Sequence, residues 1–239
     1  MTETQLNRTL AALAAAAGLI VACMVAAIVA TSASQDFFQS GRPAEAILAR
    51  LTATPATTLG LRLNLGFDNL FIVVYGAFFV FLSVRLRPVL DPWVSAVALG
   101  ALLLTALLDA IENHHIVEMI HAASHGLAVT AGESQAQMAA SQVKFHCSYL
   151  GSFLFAFGLW RMGGLGRAIA VALWLYVPFG VLISVLPVES AASWALGRTC
   201  TSTWVSRGSC TCRARRMASV MRRRSRSLAT FRALRSVSP

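Results

Sequence analysis

Five long apolar segments constrain the fold of this chain more than any other feature. They cover residues 10–30, 67–84, 93–110, about 142–160 and 168–186. A helix needs roughly 20 apolar residues to cross the hydrocarbon core of a bilayer, and each segment reaches or approaches that length. Alanine and leucine dominate these runs, whereas the strands of an outer-membrane barrel would alternate polar with apolar residues. The sequence therefore predicts an all-α, polytopic membrane helix bundle with about five transmembrane helices.

The composition excludes a protein whose whole surface faces water. Charged residues make up only 13% of the chain and hydrophobic residues 56%, whereas soluble domains carry about 25% charged residues. The first segment resembles a signal peptide in two respects, because Arg8 precedes it and small residues follow it at 30–34. Its apolar run of about 21 residues is longer than the roughly 7–15 residues of a signal sequence, which favours an uncleaved anchor.

Basic residues in the short loops predict the orientation. Arg8 precedes the first segment, Arg85 and Arg87 follow the second, and Arg161 and Arg167 follow the fourth. If all five segments span, these three positions share one face of the membrane. The positive-inside rule makes that face cytoplasmic, so we expect a bacterial-type inner membrane protein with a cytoplasmic amino terminus.

The carboxyl-terminal segment differs in composition from the rest of the chain. After Glu189 the sequence contains no acidic residue, no lysine and no isoleucine, and it holds eleven of the arginines behind the net charge of +10. We divide the chain into a transmembrane domain at 1–195 and an Arg/Ser-rich tail at 196–239. The tail is either disordered and basic or an out-of-frame translation, and the second alternative leaves five or six spans open for the authentic protein. Binding of nucleic acid is not expected.

Polar residues gather near one membrane face in this topology. Asp68 begins the second segment, Asp109 and Glu112 end the third, and Lys144 and His146 begin the fourth. All five approach the extracytoplasmic leaflet. Ionisable residues inside a membrane usually mark ligand sites or proton pathways. The cluster therefore predicts handling of a small ligand or a proton, and whether the protein is an enzyme stays open.

Helical phase separates the acids from the histidines that follow them. Asp109 and Glu112 fall on the apolar side of their helix, opposite a stripe formed by His114, Glu118, His121 and His125. Lys144 either pairs with one of the acids or extends to the membrane surface. Asp68 is expected to cap the amino terminus of its helix.

Two further functions are open. His121 and His125 have the i, i+4 spacing of zinc ligands, with Glu118 one turn earlier, although an amphipathic helix at the membrane surface explains them better. With Asp109 and His146, these histidines resemble the inventory of the intramembrane zinc hydrolases of the alkaline ceramidase type, which implies a metal-dependent hydrolase. The predicted helices are fewer than the family's seven or so, and no serine matches. No cofactor is firmly implied.

The third hypothesis is a membrane-complex subunit that docks a partner through residues 31–66.

Overall fold

The protein is all-α, as predicted. The computed structural model describes residues 1–39 and 42–185, and over these residues it contains seven helices and no strand. They are α1 (Glu3–Thr31), α2 (Asp36–Gln39), α3 (Ala44–Leu51), α4 (Pro55–Leu86), α5 (Pro92–Ser124), α6 (Ala131–Met162) and α7 (Gly164–Val185). The tail at 196–239 and the sixth span lie outside the described residues.

Local capping signals fix where the long helices begin. The side chains of Thr54, Asp91 and Thr130 accept hydrogen bonds from backbone N–H groups at the starts of α4, α5 and α6, and proline is the first residue of α4 and α5. Asp68 therefore does not cap a helix. The expectation was wrong because Thr54 and Pro55 start α4 well before the apolar segment, which leaves Asp68 in the helix interior.

Within the described residues, four helices, α1, α4, α5 and α7, are long and apolar enough to cross a membrane, which is compatible with a membrane protein. The predicted span at 142–160 lies within α6, which is as long as α4 but is not among those four. Its first half carries buried polar residues, including Gln137, Ser141 and Lys144. Because α6 packs between α5 and α7, these side chains face other helices rather than lipid.

Helices α4, α5 and α6 extend beyond the thickness of a bilayer at one end of the bundle. With 32 or 33 residues each, they are about 48–50 Å long, against roughly 30 Å of hydrocarbon. At this end α2 and α3 cover the start of α4 and the end of α5, and we call it the capped end. Its separate core includes Phe38, Ile47, Leu61, Leu65 and Ile116. The predicted docking segment 31–66 supplies much of this core, and docking itself stays a prediction.

The basic loop residues gather at the opposite end, which we call the arginine end. Arg85 donates to Glu3 at 2.7 Å and to Asn7 at 3.0 Å, which ties α4 to α1. Arg161 donates to the carbonyl oxygen of Val89 at 2.7 Å, which ties α6 to the turn before α5. A second core around Leu86, Leu102 and Phe155 lies beneath these contacts.

Helices α5 and α6 approach closely at Gly151. A Cβ atom there would lie 2.5 Å from Cγ of Leu102 and 2.9 Å from the carbonyl oxygen of Ala98. We expect Gly151→Ala to lower the free energy of unfolding by about 1–3 kcal/mol, because the backbone of α5 cannot move aside without repacking. Gly100→Ala is the matched control, since a Cβ there meets nothing within 4 Å, and it should be neutral or slightly stabilising. Unfolding by SDS in mixed micelles measures both, and equal effects would contradict the prediction.

Candidate functional site

Lys144 lies between two acids at the interface of α5 and α6. Its Nζ donates to Oδ1 of Asp109 at 2.7 Å and to Oε2 of Glu112 at 2.5 Å. The i, i+3 spacing of Asp109 and Glu112 puts both carboxylates on one face of α5. The side chain of Lys144 is only 10% exposed and that of Glu112 only 1%. Lys144 therefore pairs with both acids rather than extending to the membrane surface.

Glu112 receives further donors from two other segments. Its Oε1 accepts from Nε2 of Gln39 at 3.0 Å and from Nε2 of Gln137 at 3.1 Å. Gln39 ends α2, so the capped end reaches directly into the cluster. A buried carboxylate is tolerated when charge and hydrogen bonds compensate its lost hydration. Glu112 has both, with Lys144 on one oxygen and two amides on the other.

Asp109 extends the network to α4. Its Oδ2 accepts a hydrogen bond from the hydroxyl of Tyr75 at 2.8 Å, while its Oδ1 accepts one from Nζ of Lys144. A continuous chain of contacts thus runs from Tyr75 through Asp109 and Lys144 to Glu112. The cluster joins three long helices by charged and polar side chains, and such networks favour one packing arrangement. Within it, Oε1 of Gln137 is buried without a hydrogen-bond partner among the described atoms.

Asp68 lies beside this chain with different partners. Its Oδ2 accepts from Nδ2 of Asn113 at 2.7 Å, and the same amide contacts Oδ1 of Asn69 at 3.1 Å. Asp68 is 7% exposed. Within the described residues no ion pair joins it to a basic group. A neutral amide thus supports Asp68, and the cluster's lysine is shared by the other two acids.

A cavity of about 360 Å³ opens beside these groups, where α2 and the helices α4 to α7 meet. Its polar wall combines acidic, basic, amide and hydroxyl groups, and these are Gln35, Gln39, Asp68, Tyr75, Thr105, Asp109, Lys144, Ser148 and Tyr176. Its apolar wall is mainly aromatic and consists of Phe71, Phe79, Leu102 and Phe145. Nε2 of Gln35 is buried without a hydrogen-bond partner among the described atoms. With two carboxylates against one ammonium, the lining has a net negative formal charge.

The structure does not bring His146 into the cluster. His146 is exposed, and its Nδ1 contacts the carbonyl oxygen of Gln142 one turn earlier at 2.7 Å. Of the five residues expected to converge, Asp109, Glu112 and Lys144 are in direct contact and Asp68 lies on the same cavity wall. His146 is two residues from Lys144, about 200° around the helix, and so points away.

The candidate zinc ligands lie elsewhere, on the exposed last turns of α5. The rings of His121 and His125 are 4.2 Å apart between centroids, and Nδ1 of His125 contacts the carbonyl oxygen of His121 at 2.9 Å. No group of three potential ligands gathers around a metal position in the part of the chain that the structure describes. Asp109 precedes His121 by twelve residues, which is about 18 Å along the helix. Zinc at His121, His125 and Glu118 stays a prediction.

Sequence reasoning missed several members of the network. Gln137 lies seven residues before Lys144, and three residues before it lies Ser141, which is buried but has no hydrogen-bond partner among the described atoms. The polar stripe on α6 thus carried a detectable helical signal. Tyr75 likewise follows Asp68 at i+7 on α4. Gln39 gave no such signal, because the four residues of α2 are too few for a periodic pattern.

The site is a concave, net acidic cavity with an aromatic wall, supported by a fully paired Asp109–Lys144–Glu112 group. Its composition is that of a binding pocket, in which a few polar groups orient a ligand against apolar walls. No model of a protein family, no curated protein and no solved structure matches this chain.

Proposed function

We propose that the chain is a multi-pass protein of a bacterial-type inner membrane whose cavity, near the extracytoplasmic face, binds a small positively charged ligand. The observation that carries the proposal is Asp68, a buried carboxylate on the cavity wall with no ion-pair partner in the described part of the chain. The arginine end and the amino terminus are then cytoplasmic.

The charges of the cavity favour a cation. The ammonium of Lys144 makes its ion pairs with Asp109 and Glu112, and among the described residues it makes none with Asp68. A buried carboxylate without a cation is costly, and a bound cation would remove that cost. The aromatic wall adds to this preference, because the faces of phenylalanine and tyrosine attract cations. One such contact is already present, because Nζ of Lys144 lies 5.0 Å from the ring centroid of Phe145.

The volume of the cavity favours a molecule over a proton alone. A proton on Asp68 would also neutralise the carboxylate, and clustered acids occur in proton relays. However, a relay needs only side chains and water, whereas about 360 Å³ lies within the usual range of small-molecule sites, roughly 300–1,000 Å³. The phenylalanine side chains of the wall also have no group that can transfer a proton. A small organic ammonium ion accounts for the acid, the aromatic wall and the space together.

We expect Asp68→Asn to weaken binding of propylamine at least about 30-fold, because loss of one partner of a buried charge pair costs 2 kcal/mol or more. Equilibrium binding of radiolabelled propylamine to the protein in lipid nanodiscs measures this. Glu118→Gln is the control, because Glu118 is an exposed acid outside the cavity, and it should bind propylamine normally. If the unaltered protein does not bind propylamine, or if both variants lose it equally, the proposed function is wrong.

The proposed orientation has its own test. We expect a cysteine at Pro88, in the exposed turn between α4 and α5, to resist an impermeant maleimide added outside intact cells. A cysteine at Ala128, exposed at the capped end, should react. Both substitutions are made in a variant without the native cysteines, and permeabilised cells provide the control for reactivity. Labelling of position 88 from outside would show that the topology is the reverse of the proposed one.

A further inference from the structure

We infer that the ligand is an amphiphile, with an ammonium head in the polar cavity and a hydrocarbon chain in an adjoining apolar cleft. The inference rests on the proposed function and adds the class of the ligand. It is carried by the adjacency of two cavities, which share wall residues, and by the distribution of unpaired charge along them.

The apolar cleft lies between α1 and α4 on one side and α6 and α7 on the other. Its volume is about 600 Å³, and its lining is mainly hydrophobic, including Leu10, Phe78, Leu82, Phe155 and Leu159. In the described chain, α4 packs extensively against α1 and α5, and α6 against α5 and α7. The helices therefore leave a gap between the two outer pairs, with α5 at its floor.

The cleft and the polar cavity share two wall residues. Phe79 and Leu102 line both of them. Phe79 lies one helical turn after Tyr75 on α4, and Leu102 lies two turns before Asp109 on α5. A ligand whose head group lies at Asp68 and whose hydrocarbon chain reaches Leu82 would extend about 21 Å along the axis of α4. The two adjoining cavities thus place acidic groups at one end and hydrocarbon-lined walls at the other.

The charged residues at the two ends of these cavities determine the sign of the ligand's head-group charge and the end at which the head group lies. At the arginine end Arg85 lines the cleft, but its guanidinium is already bound to Glu3 and Asn7. At the other end Asp68 has no ionic partner among the described residues. A fatty acid would place its carboxylate against Asp68 or compete with Glu3 for Arg85. A long-chain amine instead puts its charge beside the unpaired acid and its chain among apolar side chains.

Recognition depends on the head group, because the cleft offers a hydrocarbon chain little that the bilayer does not. Lipid tails are about as apolar as leucine, so the chain gains little free energy by leaving them for the cleft. An ordinary phospholipid chain could therefore fill the cleft without selectivity. Selectivity for the amine must come from Asp68, which makes the charge of Asp68 the variable to test.

The experiment uses a hexadecylamine analogue with a diazirine near its terminal methyl group, and the full-length protein in lipid nanodiscs. After irradiation, mass spectrometry locates the labelled residues. We expect label near Phe155 and Leu159 in the cleft, and a decrease of at least about tenfold with Asp68→Asn. Excess unlabelled hexadecylamine should compete, and excess hexadecanoate should not.

A matched pair of variants on α7 separates the cleft from the lipid-facing surface. Ile169 lines the cleft, whereas Leu175 is not among its lining residues, and both are exposed, by 41% and 51%. We expect Ile169→Trp to remove cleft labelling and to leave propylamine binding unchanged, and Leu175→Trp to change neither. The amphiphile inference is wrong if labelling is unchanged by Asp68→Asn, or if hexadecanoate competes as well as hexadecylamine. In either case, binding of propylamine would still support the proposed function. Absence of propylamine binding would reject the proposed function itself.

Discussion

Replacement of Lys144 by methionine should lower the free energy of unfolding by about 3–5 kcal/mol, the usual cost of removing one member of a buried ion pair. The two carboxylates that share its ammonium would both lose their counter-charge. Glu112 is the more affected of the two, since its side chain is only 1% exposed. The effect is large because a charged group remains buried, and loss of the methylene packing of lysine contributes little after replacement by methionine.

A mutant cycle distinguishes this pairing from a general loss of packing. The triple variant Lys144→Met, Asp109→Asn, Glu112→Gln should recover much of the lost stability, because neutral amides can still bond to Tyr75, Gln39 and Gln137. Arg62→Met is the control, since Arg62 is an exposed basic residue of α4 and should change stability by less than about 0.5 kcal/mol. Unfolding by SDS in mixed micelles measures every variant. Additive effects of the substitutions would show that Lys144 is not coupled to the acids.

Helical periodicity was sufficient to place the acids of this cluster. On α5 the 3.6-residue period puts Asp109 and Glu112 on the same side as Ile116, which is fully buried, and leaves His121 exposed. The same rule applied to α6 would have excluded His146, which differs from Lys144 by two residues. Hydropathy alone had grouped these two because it counts position along the membrane normal and ignores direction around the helix.

The capped end was much harder to predict. A hydropathy window finds only the lipid-facing part of a helix, so it ended the second and third segments at the membrane boundary, although α4 begins at Pro55 and α5 continues to Ser124. Protein side chains, not lipid, bury these extensions. Contacts such as those of Phe38 and Ile47 with the core of the capped end link residues far apart in the chain. Neither periodicity nor composition of a single segment contains that information.

The capped end and the cavity should respond together to the loss of Phe38. This side chain is 1% exposed in the core of the capped end, and its neighbour Gln39 donates to Glu112 and lines the cavity. A helix of four residues such as α2 has no stability of its own, so its position depends on this packing. Phe38→Ala should cost about 3–5 kcal/mol. We expect the capped end to open locally, because the arginine end has a separate core.

Tryptic cleavage after Arg50 in α3 measures that opening, and we expect its rate to increase on the order of 100-fold, which corresponds to about 3 kcal/mol. Propylamine binding should weaken in the same variant, because Gln39 loses its support beside the cavity. Phe153→Ala is the matched control, since Phe153 lies on α6 and is 40% exposed, and it should change neither property. If Phe38→Ala accelerated cleavage after Arg85 and Arg161 as much as after Arg50, the capped end would unfold only with the whole bundle. The capped end would then be a fixed part of the cavity wall.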